Sequence, residues 1–205
     1  MFEEIFKNEL RQLKTDEALI NKLWAEIETA YCTTSRYYHN LSHLDNLVDL
    51  LLPIRSEIRD WQCVIFSVAY HDIIYNPLKN DNEAKSADLA CKRLTQLSLQ
   101  PYVKDRCKIQ ILATKSHEVN EDADINYFTD ADLGILGSSS ESYLNYAKQI
   151  RKEYNWYPDL IYKPGRIKVL RHFLEMDKIV KTMYFQNRYE EQARMNISEE
   201  LELLS

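Results

Sequence analysis

The sequence predicts an all-α fold, and three observations support this. The chain of 205 residues contains only 3 Gly and 5 Pro, fewer than strands joined by tight turns usually need. Apolar residues recur at intervals of three and four along most of its length. Hydrophobic residues make up 45% and charged residues 28%, which is the balance of a globular protein with a sizeable core. We therefore predict a single compact, multi-helix domain over residues 1–205.

Two amphipathic helices are predicted near the N-terminus. Thr15 and the acidic residues after it form a helix-start signal, and the apolar spacing that follows should end near Tyr31. A second apolar face covers residues 44–52 and stops at Pro53, because proline lacks a backbone donor and restricts the residue before it. His43 should lie near the start of this second helix.

A third predicted helix begins at about Glu57 and carries a near-continuous apolar stretch as far as Ala69. A helix that is apolar on all sides is normally buried on all sides. We therefore expect it at the centre of the fold, with His71 and Asp72 at its C-terminal end.

Start signals predict further helices along the rest of the chain, about eight in all. Asn80 to Glu83 resembles a capping box, Pro101 suits the first turn of a helix, and Ser138 to Glu141 repeats the capping signal. The expected helices cover about residues 80–97, 101–111, 138–157, 165–181 and 188–204.

Charge and hydropathy exclude several classes of protein. The net charge of −6 argues against an extended nucleic-acid interface, which needs a dense Lys/Arg surface. No apolar run approaches the roughly 18 residues that span a bilayer, and the acidic N-terminus is unlike a secretion signal. The dispersed cysteines fit a reducing compartment, so we expect a cytoplasmic protein without a membrane segment. These cysteines are Cys32, Cys63, Cys91 and Cys107.

The most informative motif is the His71-Asp72 doublet after the predicted buried helix, with His39 before it and Asp132 after it. Imidazole nitrogens and carboxylate oxygens together suit a divalent ion such as Mn, Mg, Fe, Co, Ni or Zn. Such an ion can lower the pKa of a bound water from 15.7 to about 7, which gives hydroxide as a nucleophile at neutral pH.

At these residues the chain resembles the HD-domain metal-dependent phosphohydrolase superfamily, in which a His, a His-Asp doublet and a distant Asp lie on an all-helical scaffold. The resemblance covers most of the chain and is closest to a bacterial branch of predicted HD phosphohydrolases. It implies an HD-domain-like bundle with one divalent metal ion and a phosphorylated, often nucleotide, substrate. The stretches that carry it are residues 36–40, 70–75, 81–83 and 128–133. The implied metal ligands are His39, His71, Asp72 and Asp132.

Several assignments stay open at this stage. Asp130 is a second candidate for the last ligand; Asp132 is preferred because it matches the Ala-Asp-Leu context of the family. His43 is interpreted as a partly buried, hydrogen-bonded histidine. His117 is a candidate to protonate the leaving group or to bind a second metal, with a structural role as the alternative. Glu83 is interpreted as a helix cap rather than a site residue.

Phosphoryl transfer also requires positive charge near the non-bridging oxygens. Arg36 is the first candidate, because a helical turn would bring it to the same side as His39. Lys115, Arg151 and Arg166 are weaker candidates.

The sequence thus predicts an enzyme that hydrolyses a phosphate ester or phosphoanhydride, with the metal-bound hydroxide as nucleophile and with Asp72, Arg36 and His117 as catalytic residues. One alternative is a non-catalytic, metal-stabilised module that binds a nucleotide or a protein, because ligands alone do not establish turnover. A purely structural helical protein is a third possibility.

Overall fold

The computed structural model describes residues 1–204 and confirms the all-α fold class, with no strand in that range. No helix within residues 1–204 combines the length and the apolar character needed to cross a bilayer. The α-helices are α1 Phe2–Gln12, α2 Glu17–Tyr31, α3 Leu41–Leu51, α4 Trp61–Tyr70, α5 Asn82–Gln96, α6 Pro101–Ala113, α7 Ala123–Asp132, α8 Ser140–Glu153, α9 Asp159–Glu175, α10 Met183–Phe185 and α11 Glu191–Leu204.

Side-chain caps fix where the helices next to the motifs begin. The Asp16 carboxylate accepts a hydrogen bond from the Leu19 N–H at the start of α2. Asn40, directly after His39, caps α3 through the Ser42 N–H. Each cap satisfies a backbone donor that a helix start leaves without an intrahelical partner. The residues before α3 are therefore held at a defined angle to that helix.

Helix α4 lies at the centre of the fold, as its apolar sequence predicts. It packs against α1, α3, α5, α6 and α7. Nine of its ten side chains are buried, and only Gln62 is partly exposed. Because α4 is enclosed on all sides, the His71 that follows its last turn is placed deep in the molecule.

A single apolar core links the two ends of the chain. It includes Phe2 and Phe6 of α1, and its last member is Ile197 of α11. The Phe6 ring contacts the edge of Phe66 on α4, with ring centroids 6.1 Å apart. The N-terminal helix, which the sequence analysis did not predict, therefore covers one side of α4.

The C-terminal helix packs against the segment that follows α7. Helix α11 packs against α8, α9 and the 3₁₀ turn Leu133–Gly137 that follows α7. Gly137 permits the close approach of the segment just before α11, because a Cβ atom at that position would overlap the backbone of Tyr189. The end of α7, which carries Asp132, is thereby held between α11 and the core.

The predicted bounds of three helices are wrong. The chain forms a 3₁₀ turn over Leu52–Glu57, and α4 begins only at Trp61, because the Asp60 side chain caps it through the Cys63 N–H. Helix α8 ends at Glu153 rather than near residue 157. Helix α9 begins at Asp159, passes through Pro164 and ends at Glu175, so its predicted range of 165–181 begins and ends too late.

A buried carboxylate joins the starts of α4 and α7. Asp124 is fully buried, accepts hydrogen bonds from the N–H groups of Arg59 and Asp60, both at 2.9 Å, and pairs with Arg106 at 3.0 Å. Asp124→Ala leaves these backbone donors without a partner, and each such loss costs about 1–3 kcal/mol. We expect the free energy of unfolding, measured by urea denaturation, to fall by roughly 2 kcal/mol or more. The exposed Asp88→Ala on α5 is the control and should have no measurable effect.

Candidate metal centre

Three chain segments converge at the end of α4. His71 and Asp72 follow α4, His39 and His43 lie on either side of the start of α3, and Asp132 is the last residue of α7. Helices α3 and α7 pack against each other and against α4. The termini of three mutually packed helices therefore meet at one point.

The most buried part of this cluster is a group of two histidines and one aspartate. The Nε2 atoms of His43 and His71 are 3.2 Å apart. The Oδ1 atom of Asp132 lies 3.3 Å from His43 Nε2 and 3.7 Å from His71 Nε2. His43, His71 and Asp132 thus present three ligand atoms within the span of one metal ion. His43 is therefore an addition to the ligands predicted from the sequence, where it is interpreted as a partly buried, hydrogen-bonded histidine.

The other two predicted ligands lie beside this group. Asp72 Oδ2 is 3.3 Å from His71 Nε2 and 3.8 Å from His39 Nε2. The side chains of Asp72 and His39 are 17% and 19% exposed, so this side of the cluster faces solvent. All four predicted ligands and His43 therefore belong to one cluster with a buried side and an open side.

The histidine rings are oriented by partners that can only accept hydrogen bonds. The Nδ1–H group of His71 donates to the Val68 carbonyl oxygen at 3.0 Å, and that of His39 donates to the Glu153 carboxylate at 2.6 Å. With Nδ1 protonated, the Nε2 atom of each ring faces the aspartates and can carry either a proton or, through the lone pair of the neutral ring, a metal ion. Lone pairs that face carboxylates repel unless a cation lies between them, so the donor set fits a divalent metal ion.

The electrostatics also favour a cation. Burial lowers the pKa of His71, but the charges of Asp72 and Asp132 outweigh it and bring the pKa to about 9. Burial alone would raise the pKa of Asp72 and Asp132, yet the surrounding histidines hold both below the usual range. Burial dominates at His43, whose pKa is lowered. The cluster therefore holds negative charge in a buried place where only a proton or a metal ion can balance it.

Glu153, the last residue of α8, bonds to His39 through Nδ1, the ring nitrogen that does not face Asp72. Its fully buried Oε1 accepts hydrogen bonds from the N–H groups of Tyr37, Tyr38 and His39, at 2.8, 2.7 and 2.9 Å. Its Oε2 accepts from His39 Nδ1 and from the Tyr75 hydroxyl. Burial opposes its ionisation, but these donors lower the pKa of Glu153 to about 2. Nothing in the sequence marked Glu153, because it is far from the motif along the chain.

The alternative ligand Asp130 has a different role. It is fully buried and accepts hydrogen bonds from the N–H groups of Lys181 and Thr182, both at 2.7 Å, and from the Thr182 hydroxyl. It therefore caps the segment before α10. Of the two aspartates at the end of α7, Asp132 is the one that contacts the histidines.

His117 contacts the same aspartate from the open side. Its Nε2 atom lies 2.9 Å from Asp132 Oδ2, while Oδ1 faces His43 and His71. Its backbone has a φ of 52°, in the left-handed region that residues other than glycine seldom adopt. Backbone strain of this kind often accompanies functional positions.

Arg36 occupies a different place from the one the sequence suggested. Its guanidinium donates hydrogen bonds to the carbonyl oxygens of His39, Asp72 and Ile73, at 3.2, 2.7 and 3.0 Å. The side chain is buried against the ring of Tyr31, and it does not line the cleft described below. Arg36 thus holds the two ligand-bearing loops together rather than facing a phosphate.

The expected capping box at Asn80–Glu83 does not form. Helix α5 begins at Asn82, whose side chain instead bonds the backbone of Asn76 in the preceding loop. Glu83 lines the cleft, and its Oε2 lies 4.0 Å from Lys115 Nζ. The Lys115 ammonium itself donates to the Asn80 carbonyl oxygen.

The open side of the cluster leads into a cleft of about 560 Å³. This volume is within the range of small-molecule sites in proteins. The cleft is bordered by the loop after α4, the starts of α5 and α9, and one face of α8. Its lining includes His39, Asp72, Tyr75, Lys79, Asn82, Glu83, Thr114, His117, Asp132, Tyr146, Ile150, Tyr154, Tyr157, Ile161, Tyr162, Gly165, Arg166 and Val169.

Metal content distinguishes the two aspartates at the end of α7. We expect Asp132→Ala to lose bound metal, because it removes the carboxylate between His43 and His71. Asp130→Asn should retain metal, since Asp130 contacts only the α10 segment. Elemental analysis after dialysis against Mn²⁺ or Zn²⁺ measures both. Metal loss from Asp130→Asn alone would reverse the assignment.

Removing the charge of Glu153 should weaken metal binding without removing a ligand. Glu153→Gln deprives His39 of its acceptor, and the loss of such an outer partner typically lowers metal affinity by 10- to 100-fold. A competitive titration with a chromogenic chelator measures this change. Glu141→Gln, an exposed position on the same helix, is the matched control and should bind metal like the unmodified chain.

Comparison with protein-family models, with curated proteins and with solved structures finds no match to this chain. What the cluster does is therefore inferred from its own residues and their geometry.

Proposed function

We propose that this chain is a metal-dependent phosphohydrolase of the HD type that cleaves a phosphate ester of a small molecule. The observation that carries the proposal is the cluster of histidines and aspartates at the base of a cleft large enough for a small molecule. A purely structural metal site is normally closed, whereas a catalytic one keeps an open position. The exposed edges of His39 and Asp72 support the second case.

The proposed ligands are His39, His71, Asp72 and Asp132, with His43 as a fifth donor. Nitrogen and oxygen donors suit Mn, Mg, Fe, Co, Ni or Zn in the divalent state. When bound, such an ion polarises a phosphoryl oxygen and makes a water molecule acidic enough to attack at neutral pH.

Asp72 is proposed to orient the attacking water. Its carboxylate lines the cleft and is partly exposed. Its backbone N–H donates to the buried hydroxyl of Tyr31, and its carbonyl oxygen accepts from Arg36. The main chain of Asp72 is therefore anchored on both sides while the side chain faces the substrate.

His117 is proposed to give a proton to the leaving alcohol. Its ring is held by the bond between Nε2 and Asp132, and Nδ1 has no hydrogen-bond partner within residues 1–204. The ring also lines the cleft. A histidine fixed at one nitrogen by a carboxylate and free at the other can donate a proton in a defined direction.

Arg36 is proposed as a positioning residue. By bonding the carbonyl oxygens of His39 and Asp72 it fixes the distance between the two loops that carry the ligands. Stabilisation of phosphoryl charge would fall instead to the metal and to Lys79, which lines the cleft with an exposed side chain.

The test is a hydrolysis assay on metal-free protein reloaded with each of the six ions, using a panel of phosphate monoesters and anhydrides. We expect phosphate release at saturating metal, and none from Asp72→Ala, which removes both a ligand and the group that orients water. A rate that Asp72→Ala leaves unchanged would point to a contaminating phosphatase. Binding of metal without turnover of any substrate would favour a binding module.

The role of His117 is tested in the same assay. His117→Asn suits the left-handed backbone, which Asn tolerates better than most residues. It should lower kcat by roughly 10²- to 10⁴-fold, the usual contribution of a general acid. At saturating metal the metal content should stay unchanged, because His117 is not among the proposed ligands. His172→Asn, an exposed histidine on α9, serves as the control and should keep full activity.

A further inference from the structure

The cleft has two unlike walls. One wall is polar and contains the cluster of histidines and aspartates, His117, the loop that carries Lys79, and Glu83 at the start of α5. A second wall, called here the ring wall, is formed by α8, α9 and the turn between them. Its members are Tyr146, Ile150, Tyr154, Tyr157, Ile161, Tyr162 and Val169.

The ring wall is held rigidly before any ligand arrives. The rings of Tyr154 and Tyr157 are stacked, with centroids 6.2 Å apart, and Tyr162 lies 6.0 Å from Tyr154. The guanidinium of Arg151 lies 4.6 Å from the centre of the Tyr162 ring and donates to the carbonyl oxygens of Tyr154 and Tyr157. It also pairs with Asp159 at the start of α9. A preorganised aromatic surface binds a ligand at a low entropic cost.

The chemistry of this wall suits an apolar group. Tyr146 accepts a hydrogen bond from Arg166, and Tyr75 beside the wall donates its hydroxyl proton to Glu153. Among the described residues, the ring wall contributes no carboxylate and no side-chain amide to the cleft. Carboxylates and amides are what a protein commonly uses to read the edges of a nucleobase. The wall therefore offers ring faces, aliphatic surface and the phenol hydroxyls at the ring edges, but no amide or carboxylate.

The charges in the cleft limit how much negative charge a ligand can carry. Two lysine or arginine side chains line it within residues 1–204, Lys79 and Arg166. Arg166 is buried and already bonded to both oxygens of Glu200, each at 2.8 Å. A divalent ion would be balanced by Asp72 and Asp132, which leaves Lys79 as the free cation of the lining among the described residues. One phosphate group can be accommodated, whereas a chain of phosphates would bring like charges together near Glu83.

We infer that the cleft selects a phosphate monoester of an uncharged alcohol that bears an apolar ring, with the ring lying on the ring wall. The inference rests on the proposed function for the placement of the phosphoryl group at the metal cluster. It adds the class of substrate, an aryl-alkyl monoester, in place of the nucleotide that the sequence resemblance implies.

Four phosphate compounds test this selectivity at saturating metal. Three are monoesters with similar alkoxide leaving groups, and the fourth is a nucleotide with added phosphates. They are ethyl phosphate, 2-phenylethyl phosphate, adenosine 5′-monophosphate and adenosine 5′-triphosphate. We expect kcat/KM for 2-phenylethyl phosphate to exceed that for ethyl phosphate by roughly 10- to 100-fold, the effect of burying one phenyl ring. The triphosphate should be the poorest ring-bearing substrate. A preference of tenfold or more for either nucleotide over 2-phenylethyl phosphate would overturn the inference.

Variants of the ring wall test whether this wall causes the preference for 2-phenylethyl phosphate. Tyr157→Leu should reduce the ratio of kcat/KM between 2-phenylethyl and ethyl phosphate by about tenfold. Trp156→Leu is the matched control, since Trp156 is 76% exposed and lies outside the cleft lining. Its ratio should not change. An equal reduction in both variants would mean that the turn, and not the ring, matters, and would count against the inference.

Gly165 allows the cleft to be narrowed without disturbing the fold. A Cβ atom at this position meets nothing within 4 Å, and leucine favours a helix more than glycine does. Gly165→Leu should therefore lower the ratio between 2-phenylethyl and ethyl phosphate, while Gly165→Ala should not. Equal ratios in the two variants would count against a ring bound at this wall.

Equilibrium binding separates a failure of this inference from a failure of the proposed function. 2-Phenylethylphosphonate and ethylphosphonate are not hydrolysed and can be titrated calorimetrically with the metal-loaded protein. Selective binding of the phenyl compound without hydrolysis of any ester would support the substrate class and overturn the proposed hydrolysis. Hydrolysis of all esters at similar kcat/KM, with no selective binding, would support the proposed function and overturn the inference.

Discussion

The hydrogen bonds accepted by Glu153 are the interaction on which the site depends most. A fully buried carboxylate is costly unless its lone pairs are satisfied. Here three consecutive backbone N–H groups, the His39 ring and the Tyr75 hydroxyl satisfy it. The same bonds join the end of α8 to the segment before α3 and to the loop after α4. Glu153 therefore anchors both the ring wall and the cluster of histidines and aspartates.

The cluster concentrates charge where the fold is least able to hydrate it. His43 and His71 are 3% and 1% exposed, and Asp132 lies directly against both. Burial of aspartates beside one another would be unfavourable in the absence of positive charge. Protonated histidines can supply that charge, and a metal ion supplies it more completely. This requirement, rather than the identity of the motif, is the strongest physical argument for a bound cation.

The arginines near the cleft have structural roles. Arg36, Arg151 and Arg166 all act on the protein itself: Arg36 on carbonyl oxygens of the ligand loops, Arg151 on the turn before α9, and Arg166 on Glu200. Each stiffens a wall and leaves little free positive charge in the cleft. A stiff, weakly cationic cleft of this kind suits a ligand that carries its negative charge in one place and apolar surface elsewhere.

The sequence by itself determined the helical class, the central position of α4, and the set His39, His71, Asp72 and Asp132 that the structure brings together. Helix formation and burial of an apolar stretch are governed by local spacing, so they can be read from neighbouring residues. The tertiary structure decided the rest. In the folded chain Glu153 bonds to His39, and His43 belongs to the cluster. Asp130 and Asp132 have different partners, and Arg36 bonds to carbonyl oxygens. Some of these contacts join residues that are distant in the chain. Others depend on the helix face on which a residue lies, as for Asp130 and Asp132. No local sequence pattern specifies how distant helix ends meet.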